Sequence, residues 1–426
     1  MFDKDIIKVK NLPKDIIYDG TYYIEQSSVN SYTHNYFKYP CKFIPEVPRW
    51  AINKYTIDKD TKIIDPFAGS GTTLLEAMVM GFDSYGTEID DIARLIIKAK
   101  TTRFSKCDLK QVRVEYKRII TNVNSDINYI IPAIDNINHW FSEENTVTLA
   151  KLLYLIREIL NDSIRDFFLV VFVSIIKNCS NADNSSPKPY VSRKIIKIPV
   201  EPLLEFSKVY EKYYKSTEEL STVKKTGTVE LLEGDALSFK SQHNFDLAIT
   251  SPPYINAFDY GRTMRLENLW LGTLTEDSLR KKKAFYVGTE KLNSNIESND
   301  MSILKESKHL NEVYHLITEM DKKRGLIVKR FFSDMKKNIV QVNKKLNLSG
   351  KYVIVIGNST IRNIEVNSAK IIEDIALANG FKLLTKFKYI IKNSYINIPR
   401  NGKGGKIQFD NVIVLEKGSN NGATKS

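Results

Sequence analysis

The stretch TKIIDPFAGSGTTLLEAMVMGFDSYGTEIDDIARLIIKAK, residues 61–100, decides the fold. Its KIID (62–65) is a short apolar run that stops at a proline and two glycines, the pattern of a buried strand leaving a sheet. TTLLEAMVMG (72–81) then carries apolar residues at helical spacing and ends on a glycine suited to a C-cap. FDSYGTEID (82–90) is a second strand that finishes in acids, and DIARLIIKAKTTRF (91–104) a second helix. Strand, helix, strand and helix in this order build an α/β sheet with parallel strands.

Upstream, residues to about 60 mix short strand-like pieces with HNYFKYPCKFIPEVPRWAINKY (34–55), where prolines punctuate aromatics ahead of a helix. Downstream the alternation stops over 104–226. There ENTVTLAKLLYLIREILND (144–162) and SIRDFFLVVFVSIIKN (163–178) read as helices, and CSNADNSSPKPYVSRKIIK (179–197) as a polar, basic loop. The sheet pattern resumes with TVELLEGDALSF (228–239) and FDLAITSPPY (245–254). An irregular stretch follows over about 272–325, with RKKK at 280–283. FFSDMKKNIVQVNKKLNLSGKYVIVIGNS (331–359) then reads as helix, glycine turn and strand, NSAKIIEDIALANGF (367–381) as a helix, and FDNVIVLEK (409–417) as a closing strand.

The chain has 426 residues, enough for a large core, and 42% hydrophobic and 27% charged residues, as in a soluble globular protein. A net charge of +13 points to a polyanion such as nucleic acid, or else to the lysine-rich composition of an AT-rich genome. Cys41, Cys107 and Cys179 show no paired spacing, so neither a disulfide framework nor a metal site is expected. The N-terminus lacks the apolar core of a signal peptide, and FFLVVFVSII (167–176) is too short to span a bilayer. These features fit a reduced cytoplasmic enzyme with no membrane contact.

DPFAGSGTT (65–73) sits between strand and helix, where open α/β sheets bind nucleotide-like ligands. A phosphate-binding loop would need a lysine before its Ser/Thr, and here Thr72 follows Gly71 directly. Asp65 would oppose a phosphate but suit a cation, and S-adenosylmethionine carries a sulfonium and an ammonium group. Glu88, ending the next strand, could accept the ribose hydroxyls, and Asp235 in LLEGDAL could take the adenine amino group. The second unusual turn is Ser251-Pro252-Pro253-Tyr254. Two prolines hold it extended, with outward carbonyls, fit to grip a small donor such as an amino group beside an aromatic ring.

Together these residues resemble the DNA amino-methyltransferase family, the cytosine-N4 and adenine-N6 type of bacteria and archaea. DPFAGSGTT resembles that family's cofactor loop and TSPPY its catalytic motif; YPCKFIPEVPRWAI (39–52) is similar to the segment flanking the cofactor's methionine end. YVIVIGNS (352–359) and FDNVIVLEK resemble later sheet strands. The resemblance implies a Rossmann-like S-adenosylmethionine-dependent methyltransferase sheet with helices on both faces and a largely helical insertion. It implies cofactor contacts from Lys42, Phe43, Asp65, Phe67, Ala68, Gly69, Gly71, Thr72, Glu88 and Asp235, and catalysis by Ser251, Pro252, Pro253 and Tyr254. Ser251 and the carbonyl exposed by Pro252 would accept the two hydrogens of an exocyclic amine and free its lone pair, while Tyr254 stacks on the flipped base.

The implied organisation is a flanking segment and cofactor half (1–103), a helical insertion (104–226), a catalytic half (227–271), an irregular basic insertion (272–330), the rest of the core sheet (331–418) and a disordered tail (419–426). No room remains after FDNVIVLEK for a recognition domain, so an insertion is expected to read double-stranded DNA, 104–226 first and 272–325 second. Arg193 and Lys194, with Lys188 and Lys197, are candidate DNA contacts in the 181–197 loop. Arg262 and Arg265, beside Asp259 and Tyr260, are candidates after the catalytic turn, unless they lie on a solvated helix face paired with Glu267. Cys41 follows Pro40, as the nucleophile of carbon-5 cytosine methyltransferases follows a proline, but it precedes the glycine loop and has no activating base nearby in sequence. A serine ahead of the prolines favours cytosine N4, with adenine N6 as the alternative. It argues against an RNA or protein-glutamine substrate, and the intact loops argue against a non-catalytic relative. A cognate restriction endonuclease encoded nearby is the partner such a context would supply.

Overall fold

The computed structural model describes residues 6–25, 30–40, 42–194, 196–255, 260–290, 292, 300–391 and 408–418. Its strands are β1 (Ile6–Val9), β2 (Thr21–Ile24), β3 (Ile63–Asp65), β4 (Ser84–Gly86), β5 (Val229–Leu231), β6 (Phe245–Thr250), β7 (Leu346–Gly357), β8 (Ser359–Ile361), β9 (Ile364–Val366), β10 (Phe381–Ile390) and β11 (Phe409–Lys417). Nine of them form one sheet in the order β1-β2-β10-β11-β7-β6-β3-β4-β5, and β8 and β9 pair as a separate hairpin. Every neighbouring pair in the sheet is parallel except those of β11, which is antiparallel to β7 and to β10.

Parallel strands covered on both faces need apolar residues in both registers. Consecutive residues here divide accordingly. Ile63, Leu247 and Val353 pack with Val47, Trp50 and Ala51 of helix α1 (Glu46–Tyr55) on one face. Ile64, Ala248 and Ile354 pack with Ile327, Phe331 and Ile371 of the helices Lys322–Lys345 and Ser368–Ala378 on the other. Helices α2 (Thr72–Val79) and α3 (Asp91–Lys100) follow β3 and β4, as their spacing requires.

The 104–226 stretch is helical, with its main elements at Lys106–Asn122, Glu143–Arg157, Asp162–Ile176 and Pro202–Ser221. They bury a core shared with Ile92 and Ile96 of α3 and with Tyr36 and Tyr39. Among the described residues no helix is long and apolar enough to cross a membrane.

Three readings change. The 272–325 stretch is not irregular throughout: it holds the helices Glu276–Lys282 and Lys308–Met320, and the latter buries Leu310, Val313, Tyr314 and Ile317 at helical spacing. LNLSGKYV is not a turn before a strand. β7 runs through it, with Ser349 at φ 58° absorbed as an irregularity in the pairing with β6. FKLLTKFKYI (381–390), unremarked because lysines interrupt its apolar residues, is strand β10. The 419–426 tail lies outside the described residues.

Candidate active site

The carboxyl ends of β3, β4, β5 and β6 meet at one edge of the sheet, where ligands of open α/β sheets bind. β3 ends at Asp65, and the loop after it turns through Gly69 (φ +52°) and Gly71 (φ +75°) into α2. Glu88, just beyond β4, braces that loop: the Gly69 N–H donates to its Oε2 at 2.9 Å and the Asp90 N–H to its Oε1 at 2.8 Å. Burial, and then the neighbouring Asp90 carboxylate, push the Glu88 carboxyl up to about 8. Asp235 stands beyond β5, its Oδ1 accepting from the Leu237 and Ser238 N–H groups, each at 2.9 Å.

An open cleft of about 790 Å³ is lined by Lys42, Phe43, Phe67, Ala68, Gly69, Thr72, Glu88 and Asp235 together with Ser251 and Pro253. Ten of the anticipated residues thus share one cavity. Lys42 donates from Nζ to the His34 carbonyl at 2.7 Å, and burial pushes its ammonium down to about 8.

Four others do not line the cleft. Asp65 is fully buried beneath it: its Oδ1 accepts from the Thr250 hydroxyl at 2.6 Å and the Phe67 N–H at 3.0 Å. Burial raises its carboxyl to about 6. Since Thr250 precedes Ser251, Asp65 ties the glycine loop to the proline turn. Gly71 faces α3: a Cβ there would meet Ile97 Cγ1 at 3.0 Å, so this glycine serves helix packing and not ligand approach. Pro252 is buried, and Tyr254 is half-buried with its hydroxyl donating to Asp410 Oδ1.

The sequence reading missed other walls. Ile89 and Leu237 lie one and two residues after the strand-end acids, an adjacency that could have revealed them, and Tyr39 also lines the cleft. Phe285, Tyr286 and Val287 come from the stretch expected to be irregular, where AFYV is an apolar quartet inside RKKKAFYVGTE. Tyr286 donates to Asp90 Oδ2 at 2.9 Å, and Lys282 pairs with Asp91 at 2.8 Å. At Gly288 (φ +80°) a Cβ would lie 3.2 Å from the Tyr254 carbonyl oxygen. This segment is held between the start of α3 and the proline turn. Beneath the loop, buried Lys100 donates to the Ser70 carbonyl at 2.9 Å.

Of the basic candidates, Arg193, Lys194, Lys188 and Arg262 are exposed. Lys197 instead staples its own loop, donating to the carbonyls of Lys177 and Ala182 at 2.6 and 2.9 Å and to Asn184 Oδ1 at 3.0 Å. Arg265 pairs with Glu276, not Glu267, and lies 5.2 Å over the Trp140 ring. Glu267 is buried, and burial pushes its carboxyl up to about 7. The Asn181 N–H donates to the Trp140 carbonyl at 2.7 Å, so the basic loop adjoins the helix that follows the proline turn. Cys41 and Asp259 lie outside the described residues.

The sequence profile of the family N6_N4_Mtase, described as DNA methylase, matches residues 1–99. The Type II methyltransferase M.MvaI of Kocuria varians is 28% identical over 97% of this chain and 97% of its own length. M.BsoBI of Geobacillus stearothermophilus is 27% identical over 58% of this chain and 54% of its own, and M.MjaII of Methanocaldococcus jannaschii 26% identical over 55% and 45%. These likenesses support the DNA amino-methyltransferase family for this chain. A DNA amino-methyltransferase draws its methyl group from S-adenosylmethionine, and the cleft fits that ligand: two strand-end carboxylates for hydroxyl and amino donors, Ile89 and Leu237 for an aromatic ring, and a lysine at the other end.

Proposed function

We propose that the protein is a site-specific methyltransferase acting on the exocyclic N4 of cytosine in double-stranded DNA, by direct transfer to a flipped base. The observation that carries this is the shared cleft, in which Ser251 and Pro253 line the same cavity as Gly69, Glu88 and Asp235. When bound, S-adenosylmethionine supplies an electrophilic methyl group on a sulfonium. Glu88 accepts the ribose hydroxyls with the lone pairs left by the two amides, and those donors draw its raised pKa back down. Asp235 takes the adenine amino group, Ile89 and Leu237 the ring, and Lys42 the methionine carboxylate.

At the proline turn the Ser251 hydroxyl and the Pro252 carbonyl would accept the amine hydrogens and so free the nitrogen lone pair for the methyl group. The prolines fix these acceptors before substrate arrives. The Thr250–Asp65 bond keeps the turn in register with the cofactor loop, so donor and acceptor are oriented by the fold. Tyr254 stacks on the base. The serine before the prolines favours cytosine N4. Adenine N6 is the second reading, supported by a family profile that spans both amines.

DNA lies against the face carrying the 181–197 loop, with Arg193, Lys194 and Arg262 on phosphates and Arg265 holding its helix through Glu276. The 104–226 insertion reads the sequence, and a cognate endonuclease completes a restriction–modification pair, as the Type II relatives suggest. Purified protein given duplex DNA and S-adenosylmethionine, with the product digested to nucleosides for mass spectrometry, tests this. N4-methylcytosine is the expected product. N6-methyladenine would move the assignment to the second reading, and 5-methylcytosine would overturn the mechanism, because that product needs a cysteine nucleophile.

A further inference from the structure

Tyr254 ends the proline turn, and its ring is anchored at the far end. Its hydroxyl donates to Asp410 Oδ1, while Asp410 Oδ2 accepts from the Tyr389 hydroxyl at 2.8 Å. Asp410 is the second residue of β11 and stands opposite Gly357 of β7 and Tyr389 of β10, in the middle of the sheet. Both partners are buried, Asp410 at 6% exposure and Tyr389 at 2%. Among the described residues no cation pairs with this carboxylate, and burial pushes it above its ordinary range.

A buried carboxylate with two phenols for partners is a costly way to fill a core, because its desolvation is offset only by those two bonds. In return it makes short, strong hydrogen bonds that fix direction. A tyrosine ring turns about two side-chain torsions: holding the hydroxyl oxygen fixes the first, and because a phenol O–H lies in the plane of its ring, the direction of the acceptor biases the second. We propose that Asp410, itself oriented by Tyr389, is a positioning residue that sets the plane of the Tyr254 ring against which the target base stacks. The carboxylate touches neither base nor cofactor; it acts through Tyr254. The proposal rests on the reading of Tyr254 as the stacking residue.

A double-mutant cycle tests it, read as the single-turnover methylation rate on saturating duplex with S-adenosylmethionine affinity measured alongside. Tyr254→Phe keeps the ring and loses the tether; Asp410→Asn weakens the tether. Each should slow the rate about tenfold with cofactor affinity unchanged, and the double variant should be no slower than either alone. Penalties that multiply, or a parental rate in Asp410→Asn, would overturn the proposal, since a purely structural role would act equally in both backgrounds. If Asp410→Asn does not fold, Tyr389→Phe takes its place: a loss of about threefold that vanishes in the Tyr254→Phe background supports the proposal, and one that persists there refutes it. Ser251→Ala separates the two layers: a full rate in that variant removes the proposed reaction itself, whatever the cycle returns.

Discussion

Gly69 and the carboxylate that accepts its amide hydrogen are 19 residues apart; Tyr254 and the carboxylate that holds its hydroxyl are 156 apart. The cofactor side of the cleft is braced within one strand–helix–strand unit, by backbone amides on the acid that ends the next strand. The proline-turn side is braced from two strands away, by a side chain on a strand from the other end of the chain. The local brace at Gly69 can form as soon as β3 and β4 pair, and only the Asp65–Thr250 bond waits for β6. A distant brace makes the proline turn depend on complete assembly, so the two sides should respond separately to substitution.

The largest test of that separation is Glu88→Ala, which leaves the Gly69 and Asp90 amides without their acceptor. Losing hydrogen bonds to a charged group costs about 1.5–3 kcal/mol, or about 10- to 100-fold in affinity for S-adenosylmethionine. Calorimetry should show this loss while DNA binding without cofactor stays at the parental value. An equal loss of DNA affinity would mean that the two sides are one unit.

A smaller effect should come from Glu267, on the helix Arg265–Leu271 after the proline turn. Its carboxyl sits at about 7 in the fold against 4.5 for the free group, so the folded protein holds a proton that the unfolded chain has released. Stability from this group is complete below about 4.5 and is lost as pH rises through about 7. Denaturant unfolding should therefore find Glu267→Gln more stable than the parent at pH 8, by on the order of 1 kcal/mol, and the gain should shrink towards pH 5. His34, which burial pushes down to about 4, contributes with the opposite sign in acid but equally in both proteins, so the difference isolates Glu267.

The smallest change is expected farthest from both braces. Arg193→Ala with Lys194→Ala should lower the slope of log DNA affinity against log salt by roughly 1 for each phosphate that is no longer neutralised. An unchanged slope would place the phosphate-binding surface elsewhere, with the 272–325 stretch next in line.

The same division explains what could be read from the chain before its structure. That Gly69, Thr72, Glu88 and Asp235 meet in one cleft was legible because strand ends, glycines and acids follow one another at short range and the parallel sheet dictates where they meet. Ser251 and Pro253 were legible because two consecutive prolines have few other uses after a buried strand. Asp65 does not line the cleft as expected: its charge was read as if it faced a ligand, whereas its hydrogen bond to Thr250 forms only when β3 and β6 lie side by side. Gly71 was misassigned for a like reason, since its missing Cβ answers to Ile97 on the following helix. Phe285 to Val287 carried no local sign beyond an apolar quartet after a basic run, and Asp410 carried none, because their places are fixed by residues far away in sequence.

β11 is the last described strand of the chain, and it enters between two strands made before it, β7 and β10. Running against its neighbours, it brings its beginning, not its end, to the edge where Tyr254 waits. A chain still emerging from the ribosome therefore possesses its glycine loop and proline turn long before it possesses the carboxylate that steadies the tyrosine. Until β11 arrives, β7 and β10 also keep unpaired edges facing one another. On the role assigned to Asp410, competence for the proposed methyl transfer comes with β11, and chains that stop short of it are poor catalysts.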